Sequence, residues 1–465
     1  MRSDVAPLAV AVLSIAPGIA ILRLLGFVER SARSILAAAG LVYLTGFAAV
    51  GLVAIQLLVA GVPVTFGVVV AIAAAITVAA WLAERRRRPA RREEPGPNGS
   101  PATRPRSRLD RIALGAFGVV FGAYAVGGLV AASRTAVEHW DGWAIWARKA
   151  VVLSSWDQLP VGVFAHPSAG MPHPDYPLML PLFESLHFRA AGAIDTQSID
   201  LRLWILLIAF GGAIAFVGAR LTRPAIWVPV VLCALLAPGV YRQLLTGYAD
   251  VPMGVFLALA AVLVGSWLAR GRGVDLALGT LMLAAAANTK NEGLTAALCV
   301  LGAATVVTLA RRALPQLRTL APALLGFAAV ILPWRLWIGA HHIHGDLPVG
   351  KGLSRSFLHS RSWRVDPAVS SLAAHLGDQH TLLFLVPLAV VLCAAGLFRA
   401  QLRAVACFYL MSGIGSFLLL VWAYWISPLR LTVHLATSAN RVVIGLLMLS
   451  VAAILQLAGA LERGA

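Results

Sequence analysis

The sequence predicts an all-α polytopic membrane protein, and three observations carry that prediction. Apolar stretches of about 20 residues, long enough to cross a bilayer as helices, recur along the chain. Only 12% of its 465 residues are charged, against about 25% in soluble domains, and the mean hydropathy is +0.82. The stretches do not alternate polar with apolar, so helices rather than barrel strands must satisfy the backbone in lipid. The net charge of +18 could indicate nucleic acid. Its arginines lie mainly in short loops between spans, where membrane topology puts them. The expected partner is therefore the lipid bilayer, with no nucleic acid.

The apolar pattern gives about thirteen transmembrane helices. An N-terminal three-helix membrane segment occupies residues 1–83, with spans at 5–26, 35–60 and 64–82. Its first span has no cleavage site and reads as a retained helix. Residues 84–111 hold ten arginines among prolines and glycines, and read as an unstructured cytoplasmic linker. The remainder, 112–465, is a second membrane region. Its spans fall at 112–132, 201–219, 226–240, 251–268, 274–287, 293–310, 320–337, 382–397, 404–424 and 442–461. Two polar loops interrupt it, at 133–200 and 340–379. Within the first, residues 176–191 are apolar enough to form an interfacial helix lying on the bilayer surface.

Orientation follows from the short loops. Arg30 and Arg33, Arg220 and Arg223, Arg270 and Arg272, Arg311 and Arg312, Arg399 and Arg403, and Arg463 alternate onto one side. The positive-inside rule makes that side cytoplasmic. The N-terminus is then outside, the C-terminus inside, and the basic composition suits a plasma (inner) membrane. All eleven histidines and most acids fall on the outer side, which marks that face for chemistry. The four cysteines lie in apolar spans without CxxC spacing, so packing is expected and a disulfide framework is not.

Four segments concentrate the candidate residues. EHWDGWAIWARKA interleaves aromatic and charged residues at near-helical spacing, and an amphipathic tryptophan belt would look similar. A belt does not explain Asp141, a carboxylate just outside a span. HPDYP is too Pro-rich for a helix and reads as a rigid turn. Its His173, Asp175 and Tyr176 offer hydrogen bonds to a polyhydroxylated ligand. GYADVP places Asp250 at the mouth of a span, where an acid is either a helix cap or a functional group. NTKNEG carries Lys290 and Glu292 in a tight turn between helices, and Lys290 opposes the positive-inside trend. Near the C-terminus, Arg441 adds a planar fork suited to phosphate. His341, His342, His344 and Asp346 resemble a metal site in composition but match no standard zinc spacing. A divalent ion shared by Asp141 and Asp250 also stays open as a cofactor. The sequence lacks a Walker A loop, GxGxxG, GxSxG and HExxH, which argues against cytosolic nucleotide chemistry.

Taken in order, Asp141 in HWDGWAIWARKA, HPDYPLMLP, the acid of GYADVP and the turn with Lys290, Glu292 and Gly293 resemble the GT-C superfamily of polytopic glycosyltransferases. That group includes protein O-mannosyltransferases, lipid A aminoarabinose transferases and bacterial membrane mannosyltransferases. The resemblance covers roughly residues 112–441. It implies a GT-C-like fold with short interfacial helices in the long extracytoplasmic loop. It further implies a polyprenyl-phosphate-sugar donor and transfer outside the cytoplasm to a glycan, lipid or protein acceptor of the cell envelope. By position, Asp141 would be the catalytic base and Asp250 its support. Lys290 and Arg441 would hold the departing phosphate, and His173 and Tyr176 would bind donor or acceptor. The competing readings are a transporter or flippase for lipid-linked glycans, and a ligase moving glycan between lipids. A transporter calls for ionisable groups at mid-bilayer and for internal repeats. Neither is evident.

Overall fold

The computed structural model describes residues 5–91, 107–166 and 170–464, and these form an all-α bundle without strands. Among the described residues, ten helices are long and apolar enough to cross a membrane. An eleventh crossing is formed if Pro224–Leu236 and Pro238–Leu245, which meet at 47°, count as one bent span. Two expected spans appear as shorter apolar helices, Gly273–Thr289 and Leu385–Leu397. The chain is thus a multi-pass membrane protein.

The first span is broken into α1 (Ala6–Val12) and α2 (Ile15–Leu24), followed by α3 (Ala39–Val59) and α4 (Phe66–Arg91). Next come α5 (Arg108–Ala132), α6 (Arg148–Trp156), α7 (Met179–Ala191) and α8 (Gln197–Leu221). The core continues with α9 (Asp250–Arg270), α10 (Gly273–Thr289), α11 (Asn291–Ala310) and α12 (Leu314–Ala340). It closes with α13 (Ala400–Ile426), α14 (Leu431–Val442) and α15 (Ile444–Glu462).

Two boundaries differ from the sequence expectation. α4 continues to Arg91, beyond the expected start of the linker at residue 84, and Glu84 pairs with Arg23 of α2 at 3.1 Å. At the other end, Ser107 and Asp110 cap α5 reciprocally, each side chain accepting from the other's backbone N–H. Such a capping box satisfies donors that the first helical turn leaves open. Most of the expected linker, residues 92–106, lies outside the described residues.

The second difference is larger. The segment expected on the bilayer surface forms α7, whose residues from Met179 to Phe188 are buried in protein. Phe183 stacks on Phe47 of α3 with ring centroids 3.8 Å apart. Its polar Glu184 is met inside the protein by Arg202, and the N-terminal helices supply the covering wall.

α9 forms the axis of the bundle, with every residue of its spanning window buried, whereas the window of the similarly apolar α5 has none buried. α9 packs mainly on α10 and α15. Arg270 and Arg272 lie with Asp275 at the end where α9 turns into α10. Asp250 and Lys290 therefore sit at the opposite end of this hairpin.

Candidate functional site

Asp141 lies at the start of a π-helical turn, Gly142–Ala147, that leads directly into α6. Such turns are uncommon and concentrate at functional sites. The flanking Trp140 and Trp143 are exposed, whereas Trp146 is buried. The turn is pinned by a backbone crossing. A Cβ on Gly142 would lie 2.2 Å from the Thr246 carbonyl oxygen, so no other residue fits without displacing main chain. Gly247, at φ +67°, completes the crossing from the other strand of chain. This contact brings Asp141 beside the Tyr248–Asp250 entry to α9.

Four segments distant in sequence meet there. Arg441, near the end of α14, places Nη1 2.5 Å from Asp141 Oδ2 and 3.9 Å from Asp250 Oδ2. Its guanidinium covers the Tyr248 ring at 4.4 Å. Lys290 is the single extended residue between α10 and α11. Its Nζ donates to Asp250 Oδ1 at 2.7 Å and lies 3.0 Å from Glu292 Oε1. The charges alternate as Asp141, Arg441, Asp250, Lys290, Glu292. The two end carboxylates keep side-chain exposures of 21% and 24%, while Asp250 in the middle keeps 1%. The middle of the chain is therefore sealed and its ends are open. Asp250 is the first residue of α9, not its cap, which is Ala249.

Burial disfavours charge on Lys290, but Asp250 and Glu292 outweigh that penalty and raise its pKa above the ordinary value. Tyr248 is raised by burial, with Arg441 acting in the opposite sense. Three carboxylates around two cations leave one formal negative charge.

The residues of HPDYP form an adjacent group. His173 adopts a positive φ of 47°, a conformation rare outside glycine and characteristic of sites where surrounding structure holds the backbone. Its Nδ1 faces the Asp346 carboxylate. Tyr176 lies between the rings of His173 and Trp146, at 4.6 and 5.6 Å. Asp175 Oδ2 accepts from the Asn291 side chain at 2.7 Å. Asn291 stands between Lys290 and Glu292 in sequence, so the two groups share one turn.

Three further contributors had no role assigned from the sequence, although Lys149 and Asn291 lie in the candidate segments. Lys149 is fully buried and donates to the carbonyls of His173 (2.5 Å) and Tyr176 (3.1 Å), fixing the turn from beneath. Burial lowers its pKa to about 7, against the attraction of Asp175 and Asp346. Arg335 of α12 donates to Asn291 Oδ1 at 2.7 Å. An arginine inside an apolar span was a visible signal for it. Asn291 itself carries no signal beyond its place in the turn.

No family model, curated protein or solved structure matches this chain. The reading of the site therefore rests on its own geometry. Among the described residues, no three potential ligands gather as a metal site. His341 is engaged with the Trp337 carbonyl at 2.8 Å, while Asp346 faces His173, so the histidine-rich stretch does not converge. Arg441 occupies the space between Asp141 and Asp250. The four cysteines are free.

Taken together, the geometry supplies an accessible carboxylate, two fixed cations for an anion, and adjacent hydrogen-bonding groups.

Proposed function

We propose that this protein is a membrane glycosyltransferase that moves a sugar from a polyprenyl-phosphate-linked donor to a hydroxyl-bearing acceptor. The observation that supports it best is the alternating charge chain at one mouth of the bundle, assembled from four separate segments. A carboxylate that can take a proton stands next to cations that can take a phosphate.

In this reading Asp141 accepts the proton of the acceptor hydroxyl as that oxygen attacks the anomeric carbon. The bond from that carbon to the phosphate oxygen breaks, and the configuration inverts. Arg441 and Lys290 stabilise the charge that develops on the departing polyprenyl phosphate. Asp250 holds both cations in place. The transition state has oxocarbenium character, which nearby carboxylates favour, by analogy with glycoside hydrolysis. His173, Asp175 and Tyr176 would bind sugar hydroxyls. The arginine-rich turns at the other end of the bundle support a cytoplasmic assignment for that end. The site would then be extracytoplasmic, with the N-terminus outside, in a plasma membrane.

The test is transfer from radiolabelled polyprenyl-phosphate sugars in membranes. Asp141→Asn should reduce transfer by about 10³-fold or more, the combined scale of losing a base and its charge. Unchanged transfer in a folded Asp141→Asn protein would remove Asp141 as the base. Labelled lipid that merely crosses the bilayer would favour a transporter.

A further inference from the structure

A cleft of about 660 Å³ opens beside this site. Its polar lining is Asp175, Arg335, His344, Asp346, Lys351 and Arg361. The 345–350 segment forms one wall and approaches closely, since a Cβ on Gly345 would lie 2.6 Å from Asp175 Oδ2.

The arginines around the bundle mouth differ in how their charge is met. Arg441 pairs with Asp141. Arg361 donates to the carbonyls of Trp425 and Ser427, and Arg364 to those of Tyr424 and Leu429. Arg335 lies within the membrane-spanning α12, and its hydrogen bond goes to a neutral amide, Asn291 Oδ1. No carboxylate lies within ion-pair distance of it among the described residues, because Asn291 stands between Arg335 and Asp175. Asp175 attracts it from beyond that distance, yet an arginine in a span without a direct ion-pair partner is costly, and such residues mark ligand paths by default. A planar guanidinium with open donors suits a phosphate, which it can bind through two parallel hydrogen bonds. At the same cleft, Asp175 Oδ1 is buried and has no donor among the described residues. Asp175 and Asp346 can accept from hydroxyls but would repel a second anion.

We propose that this cleft binds a phosphorylated, hydroxyl-rich group, with Arg335 and Lys351 on the phosphate and Asp175 and Asp346 on neighbouring hydroxyls. On the transferase reading, which this extends, the ligand is the acceptor. Arg441 and Lys290 serve the donor phosphate, so a second anion site separated from them by Asn291 calls for an anionic acceptor. The phosphate could belong to a soluble glycan or to a lipid headgroup.

Two probes separate those sources. Full-length protein in phosphatidylcholine nanodiscs is titrated with glycerol 1-phosphate, with binding read by phosphorus NMR. A parallel sample uses nanodiscs doped with phosphatidylinositol, with retained lipid read by native mass spectrometry. Wild type should bind at least one probe. Arg335→Gln should weaken that binding about tenfold or more, the scale of a charge-assisted pair. Without ligand, the variant should melt close to wild type, because it loses one hydrogen bond and sheds a buried charge. Arg335→Lys keeps the charge but not the fork and should bind with intermediate affinity; it provides the same comparison if the glutamine variant does not assemble. Binding of glycerol 1-phosphate points to a soluble acceptor, and retention of phosphatidylinositol alone to a lipid. Equal binding by wild type and both variants, or none of either probe by wild type, overturns the proposal. The transferase reading fails separately. Arg335-dependent binding without any sugar transfer keeps the anion site and removes the enzyme. Transfer that depends on Asp141 alongside binding indifferent to Arg335 does the reverse.

Discussion

Two networks of ionised side chains lie inside this bundle, and they are built differently. The first runs from Asp141 to Glu292 and gathers four segments whose ends open to solvent. The second joins Glu184 of α7 to Arg202 of α8 at 2.5 Å, with both side chains fully buried. Asp200, which accepts from Thr135 at 3.2 Å, lies two residues before Arg202 on α8. In the second network Arg202 Nε and Nη1 and Glu184 Oε2 have no hydrogen-bond partner among the described residues. Burial of charge is therefore not what distinguishes a site. The distinguishing property is that a reacting molecule can reach one network and not the other.

The comparison can be broken at either network. Removing one partner of the Glu184–Arg202 pair should cost about 3–5 kcal/mol, because a lone buried charge remains. Lys290→Met should lower the melting temperature in detergent less than Glu184→Leu, because Asp250 keeps Arg441 at 3.9 Å. An equal or larger loss in Lys290→Met would mean that Arg441 does not compensate Asp250. Gly142→Ala should separate the networks. The protein should still assemble, but main chain at Thr246 must shift, and transfer should fall by about 10²-fold through misplacement of Asp141. A fully active Gly142→Ala protein would show that the backbone crossing does not position the base. Replacing both members of the buried pair, as Glu184→Leu with Arg202→Met, should be neutral or stabilising by about 1–4 kcal/mol. Transfer should survive that change within about twofold, as for distant independent sites. A large loss of transfer would instead join the two networks functionally.

The smallest effect concerns Lys149. Its folded pKa is about 7 and its ordinary value 10.5. Between those values the unfolded chain holds a proton that the folded one has released, so stability rises with pH there. Below about 7 the burial penalty applies in full. Relative to Lys149→Met, wild type should gain on the order of a few degrees in melting temperature between about pH 6 and about pH 9. A flat difference would place the ammonium in contact with water.

Much of the architecture was legible because bilayer thickness fixes helix length. The spans read from hydropathy overlap the long helices among the described residues; the stretches at 226–240 and 274–287, already short in the sequence, appear as a bent pair and a shorter helix, and the one at 382–397 is shorter than expected as well. The fate of residues 176–191 was not legible. Apolar residues look the same whether lipid or protein covers them, and residues far away in sequence, Phe47 and Gly51 among them, decide the matter. Within the site, Asp141, Asp250, Lys290, Glu292 and Arg441 could be proposed singly, because each is an ionisable group where lipid disfavours one. Their pairing could not be read, since it depends on how α9, α11 and α14 pack. Gly142 offered a signal that went unused. A glycine beside a candidate acid marks close backbone approach, and Gly247 supplied its counterpart.

The contrast between α5 and α9 reaches beyond the site. For α9 the surrounding protein is the solvent, so its side chains answer to shape, and a methyl group too many or too few will be felt. For α5 the solvent is lipid, which is fluid and indifferent to outline, so one oily residue serves nearly as well as another. Sequence drift should therefore be rapid along α5 and slow along α9. Changes in bilayer thickness, conversely, should reach the protein through α5 first.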